Sequence, residues 1–159
     1  MLWNARLGVR YHMHQQASYG RLGKFITAFT LLMSSAAFVK VLESETLPDY
    51  WAKWLICVAA LLQVVELVLD TKSKAVMHAT LRQRYLQLEL TLSGRDYILE
   101  SEEMSFKEIQ KNIEVDEPPI HESLMDKCHN DLVTINSDNI SRDKVQLSIW
   151  KRFIARMLS

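Results

Sequence analysis

A chain of 159 residues with 48% hydrophobic residues, four glycines and three prolines has room for one small domain and favours long helices with few turns. Nineteen basic residues balance nineteen acidic ones, so the broad basic signature of a nucleic-acid binder is missing, and the length is short for a large catalytic fold. The two cysteines, Cys57 in an apolar run and Cys128 far beyond it, do not suggest a disulfide.

Residues 1–24 read as a basic helix lying along, or leading into, a membrane. Trp3, Leu7, Tyr11 and His14 make a modest amphipathic face, while Arg6, Arg10, Arg21 and Lys24 suit anionic headgroups. The polar residues His12, His14, Gln15 and Gln16 follow the basic start, so no cleavable signal peptide is expected.

Two apolar stretches come next, Phe25 to Leu42 and Trp54 to Leu69, joined by a short acidic loop over 43–53. Each approaches the ~20 residues that cross a hydrocarbon core, and their apolar residues wrap all round the helix instead of forming one stripe. The expected fold is therefore all-α: a two-helix transmembrane hairpin over 25–70 (spans 25–42 and 54–70) and a cytoplasmic helical domain over 71–159. A soluble bundle with two greasy core helices is the competing reading. Lys24 anchors the start of the first span, Lys40 can snorkel near its far end, and Tyr50, Trp51 and Trp54 form an aromatic belt where the second begins. Basic residues flank both outer ends (Arg21 and Lys24, then Lys72 and Lys74), whereas the loop holds Glu43, Glu45 and Asp49 against Lys53. This asymmetry places both termini in the cytoplasm.

Inside the hairpin the informative residues are Gln63 and Glu66, because an ionisable group in a span is costly and faces a cavity, a partner or water. With the hairpin tip near residue 47, Glu66 lies level with about Ala28 and Lys40 with about Trp54, so the two charges do not pair in one hairpin. Glu66 is expected to meet Thr27, Thr30 or another subunit; repeated around a ring it would favour cations, and otherwise it reaches headgroup water or Lys24. Ser34 and Ser35, with Ala36 and Ala37, form a small-residue patch for close helix approach.

No helix breaker follows Leu69 until Gly94, so the second span is expected to continue as one helix from Leu55 to Leu92, about 57 Å long. Met77, Leu81, Tyr85, Leu88 and Leu92 recur on one face, and Gly94 is expected to supply a left-handed cap. Tyr97 to Ile113 follows as a charged helix with Phe106, Ile109 and Ile113 on one side and a possible re-cap at Ser105. Pro118 and Pro119 set the next boundary and restart a helix whose buried side is Leu124, Met125, Cys128, Leu132 and Ile135. Ser141 caps the last one, with Val145, Ile149, Phe153 and Met157 in line and Trp150 and Ile154 beside them. Its basic residues Lys144, Lys151, Arg152 and Arg156 would suit the inner leaflet or a partner, but packing on the cytoplasmic helices, with Leu124, Trp150 and Phe153 as assembly residues, is favoured.

No catalytic constellation stands out. His121, Cys128 and His129 fit no zinc spacing, and Arg6 with His12 resembles a ribonuclease spacing only in isolation. Neither an enzyme, a metal nor a cofactor is expected.

The order of parts, together with Arg10-Tyr11-His12, the run Ile113-Glu114-Val115-Asp116-Glu117-Pro118-Pro119 and Cys128-His129-Asn130, resembles the SLATT family of bacterial and phage-borne two-transmembrane proteins. The resemblance covers most of the chain. It implies an oligomeric inner-membrane effector that forms pores or disrupts the membrane in antiviral defence, with cytoplasmic helices that sense or assemble, a possible defence-system partner and no catalytic residues. Unlike the multidomain members, this chain is expected to carry no fused sensor or second effector. The alternative is a non-conducting membrane-anchored adaptor for a cytoplasmic partner.

Overall fold

The computed structural model describes residues 1–35, 49–94, 99–136 and 144–157, and these are all-helical, with no strand among them. Six helices follow in order: α1 (Leu2–Ser34), α2 (Asp49–Leu69), α3 (Thr71–Ser93), α4 (Glu100–Val115), α5 (Glu122–Asn136) and α6 (Ile149–Met157). The chain divides into two compact units, one of residues Met1–Ser18 with Val76–Ser159 and the other of Tyr19–Ala75.

Among the described residues one helical stretch, Lys53–Ser93, which runs through α2 and α3, is long and apolar enough to cross a membrane, and 6% of its most apolar part is buried. The first expected span is described only in part: Phe25 to Ser34 closes α1, and 36–48, with Lys40, Ala36, Ala37 and most of the loop, lies outside the described residues.

The expected uninterrupted helix from 55 to 92 is broken at Asp70, whose φ of 44° is left-handed. Asp70 closes α2 by donating its N–H to the Glu66 carbonyl, and opens α3 by accepting from the Lys74 N–H at its carbonyl and from the Ser73 N–H at Oδ1. Aspartate is among the few residues that tolerate this conformation and also cap a helix, so the break needs neither glycine nor proline. Gly94, by contrast, does not take a positive φ.

The larger unit packs α3 against α1 and α4, and α5 against α1. Leu81, Tyr85, Leu88 and Leu92 of α3 are buried with Ala5, Phe106 and Ile113, and Met77 packs partly buried beside them. Tyr11, Leu124 and Cys128 form a second cluster. In α4, Phe106 and Ile113 turn inward but Ile109 is exposed, and the helix runs through Ser105 without a break. Leu99 caps α4, its N–H donating to the Glu102 carboxylate.

Two helix starts fall later than the sequence suggests. Residues 117–121 stay extended after the Asp116 turn, because the His121 N–H donates to the Tyr11 hydroxyl at 3.0 Å while the His121 carbonyl accepts from Leu124 and Met125. The last helix begins at Ile149. Asn130 holds Val145 extended from both sides, its amide donating to the Val145 carbonyl at 2.9 Å and its carbonyl accepting the Val145 N–H at 2.8 Å. Val145 is thus not on a helix face, and Ser141 lies outside the described residues.

Candidate functional site

In the smaller unit the Glu66 carboxylate is held by its own chain. The Thr71 hydroxyl sits 2.7 and 2.8 Å from its two oxygens and can donate its single hydrogen to either. The turn at Asp70 brings the two side chains together. Thr71 is fully buried against Gly23 of α1, where a Cβ would collide with the Thr71 hydroxyl and stand 3.8 Å from Glu66 Oε1. Glu66 therefore lies by Gly23, more than a helical turn from Ala28. Thr30 does not reach it: its hydroxyl lies 2.9 Å from the Ile26 carbonyl and 3.1 Å from that of Thr27. The Ser34 hydroxyl similarly donates to the Leu31 carbonyl, and the Ser35 N–H to the Leu32 carbonyl. Ile26 and Met33 are the buried side chains of this stretch of α1.

Other polar and aromatic residues of α2 face outward. Gln63, Tyr50, Trp51 and Trp54 are exposed, as are Ile56, Leu61, Val64, Leu67 and Val68; Lys24 of α1 is exposed too. The aromatic trio lies within the first two turns of α2, which begins at Asp49 and not after the expected loop. Lys74 reaches back over the Tyr19 ring at 5.6 Å.

The larger unit holds a buried polar cluster with no counterpart in the sequence reading. His12 of α1 is 1% exposed, and both its ring nitrogens are engaged, Nδ1 with His78 Nδ1 at 2.9 Å and Nε2 with Glu117 Oε1 at 3.1 Å. One neutral arrangement satisfies both contacts: His12 donates from Nε2 to Glu117 and accepts at Nδ1 from the His78 Nδ1–H. The Tyr85 ring stacks on His12 with centroids 5.6 Å apart, and its hydroxyl is hydrogen-bonded to Glu117. Burial first, and then the Glu117 carboxylate, keep that phenol protonated well above its ordinary range. Gly8 makes the stack possible, since a Cβ there would meet the Tyr85 ring at 2.8 Å. Next to it Gln15, also buried, donates to the Tyr11 hydroxyl at 3.3 Å.

The cluster fastens three segments together: α1, α3 and the Pro118-Pro119 turn. A cavity of about 170 Å³ adjoins it, lined by Tyr11, His12, Tyr85 and Glu117 among others. Because both nitrogens of His12 are already bonded, the ring has no free base to offer a substrate, and the arrangement serves as a clasp. The Arg84–Asp116 and Arg6–Glu89 ion pairs join the same parts from outside.

Two of the three sequence runs quoted for the resemblance meet at this clasp, His12 from one and Glu117 from the other. His78 was missed because it flanks the apolar stripe of α3, and Glu117 because it stands in a proline turn. Gln15 was noted only as a polar residue. Among the expected packing residues, Leu81, Tyr85, Leu88 and Leu124 are buried and Met77 partly so, but Trp150 and Phe153 point outward.

Arg6 pairs with Glu89 and not with the His12 region. Among the described residues no three His, Cys, Asp or Glu side chains are grouped to hold a metal. The His129 ring meets Trp3 edge-on at 5.5 Å, while Cys128 is buried against Tyr11 and Leu124. Burial, with Asp131 nearby, pushes the Cys128 thiol up to about 11, which makes it unreactive.

No family model, no curated protein and no solved structure matches the chain.

Proposed function

We propose that the chain is an inner-membrane effector of the SLATT kind, in which several hairpins assemble to permeabilise the bilayer and the helices beyond residue 71 hold or control the assembly. The observation that carries this reading is the uncovered apolar surface of α2. A soluble core helix is mostly buried, whereas this one exposes apolar side chains over about half of its circumference and half-buries only the face of Leu55, Val58, Leu62 and Leu69. Two spans enclose no lumen, so conduction needs several copies. Purified protein in sealed liposomes releases trapped ions or dye under this reading, and Glu66→Gln alters ion selectivity if the carboxylate turns to a lumen. Liposomes that stay sealed at protein densities sufficient for assembly overturn it.

The internal Glu66–Thr71 contact favours a second reading. A carboxylate already satisfied within its own chain, beside Lys72 and Lys74 in sequence, suits the cytoplasmic end of a span as well as a lumen. A membrane-anchored adaptor fits this arrangement and leaves liposomes sealed.

A further inference from the structure

α6 docks with its smallest side chain and leaves its largest ones bare. Ala155, 1% exposed, faces inward as α6 packs on α5. Beside it Lys151 pairs with Asp126 at 3.3 Å and Glu122 at 3.8 Å. Ile149, Phe153, Trp150 and Ile154 occupy about 140° of the circumference at ~100° per residue, and they are 82, 62, 76 and 44% exposed. Arg152 and Arg156 are exposed on the flank of that apolar arc, and Lys144 is exposed just before the helix.

We propose that this face of α6 is a peripheral bilayer contact, lying in the headgroup region of an anionic leaflet. Two observations select that occupant. Residues 144–157 contain four basic residues and no acid, and an apolar arc flanked by arginines matches a surface of acyl chains below phosphates. A second copy of the same face is disfavoured, because two-fold pairing would bring arginines toward arginines with no acid between them. The contact rests on the membrane reading only in that α2 would keep a bilayer within the chain's reach.

The test uses full-length chain in proteoliposomes of brominated lipid, with two single-tryptophan variants. Trp150 alone remains after Trp3→Phe, Trp51→Phe and Trp54→Phe, and Trp54 alone remains after Trp3→Phe, Trp51→Phe and Trp150→Phe. Trp150 emission is expected to be quenched in phosphatidylglycerol vesicles, and far less in phosphatidylcholine or in 1 M salt, where the Debye length is ~3 Å. Arg152→Gln with Arg156→Gln shifts α6 off the surface by roughly tenfold or more. Phe153→Ser with Ile154→Ser also abolishes the quenching, and both changes lie on the solvent side. Unquenched Trp150 beside quenched Trp54 overturns the α6 contact and leaves the span standing. Quenched Trp150 beside unquenched Trp54 supports the contact while overturning the span, and loss of both overturns both. Trp150 shielded from acrylamide but not quenched by lipid assigns the face to a protein partner and overturns the proposal.

Discussion

Gly8→Ala is expected to destabilise the larger unit, although alanine is ordinarily the better helix former. The added methyl would stand 2.8 Å from Cγ and Cδ2 of Tyr85 and 2.9 Å from Cδ1, whereas carbon atoms at ease sit about 3.5–4.0 Å apart. Something must move by nearly 1 Å. The ring cannot give easily, because it is buried, stacked on His12 and bonded through its hydroxyl to Glu117. Overpacking of this kind costs about 1–3 kcal/mol, and the gain in helix propensity returns roughly 1, so the expected net loss is about 1 kcal/mol. Gly20, in the same helix, has nothing within 4 Å of a built Cβ, so Gly20→Ala gains propensity alone, about 0.5–1 kcal/mol. The comparison is made on full-length protein in mild detergent, by denaturant titration followed by circular dichroism. Tyr85→Leu should relieve the Gly8→Ala penalty in a double-mutant cycle. If Gly8→Ala stabilises as much as Gly20→Ala, the tyrosine is not pinned against α1 and the clasp geometry is wrong.

Glu117→Leu strips the acceptor from both His12 and Tyr85 and should cost about 2–3 kcal/mol, whereas Glu117→Gln keeps a carbonyl and should cost about 1; equal losses in the same titration would refute a clasp centred on this carboxylate. With its thiol raised to about 11, Cys128 carries roughly 100-fold less thiolate than an ordinary cysteine at pH 8, and iodoacetamide should label it at least that much more slowly in folded than in denatured protein. The sign for stability follows: the unfolded thiol loses its proton from about pH 9 while the folded one keeps it to about pH 11, so stability falls as pH climbs through that window, and Tyr85 adds to the fall at higher pH. Cys128→Ala should flatten the lower part of that fall in denaturant titrations from pH 8 to 10.5. At Asp70, Asn should be nearly neutral and Val should cost about 1–2 kcal/mol in thermal melts, because only the first tolerates the left-handed backbone and keeps the cap to Ser73; a tolerated valine would mean that α2 runs straight into α3.

Much of the helical order was legible because it rests on periodicity. The spacing of Leu81, Tyr85, Leu88 and Leu92 is a core stripe in the sequence and a buried stripe in the fold. What periodicity could not carry was set by single side-chain bonds from distant positions. Tyr11, 110 residues away, holds His121 and delays α5; Asn130 pins Val145 and delays α6. The break at Asp70 is not legible because an aspartate, and neither glycine nor proline, takes the left-handed backbone there. The clasp was illegible for a related reason: His12, His78 and Glu117 are separated by 66 and 105 residues from one another's partners, and only the fold brings them into hydrogen-bonding range. For α6 the amphipathic pattern was plain, but a pattern cannot say which face turns inward. Ala155 and the Lys151 ion pairs decided that against the larger apolar residues.

The exposed apolar side chains fall into two chemically different sets, and the difference bears on depth. Around α2 they cover about half of the circumference and run without charge from Trp54 through Val65, which suits hydrocarbon surroundings. On α6 they cover one arc, arginines border it, and the opposite side is held to α5, which suits an environment that is apolar on one side and charged at its boundary. Under the membrane reading proposed above, the first set would meet hydrocarbon at the bilayer centre and the second the phosphates at its edge, so the two surfaces call for separate tests of depth.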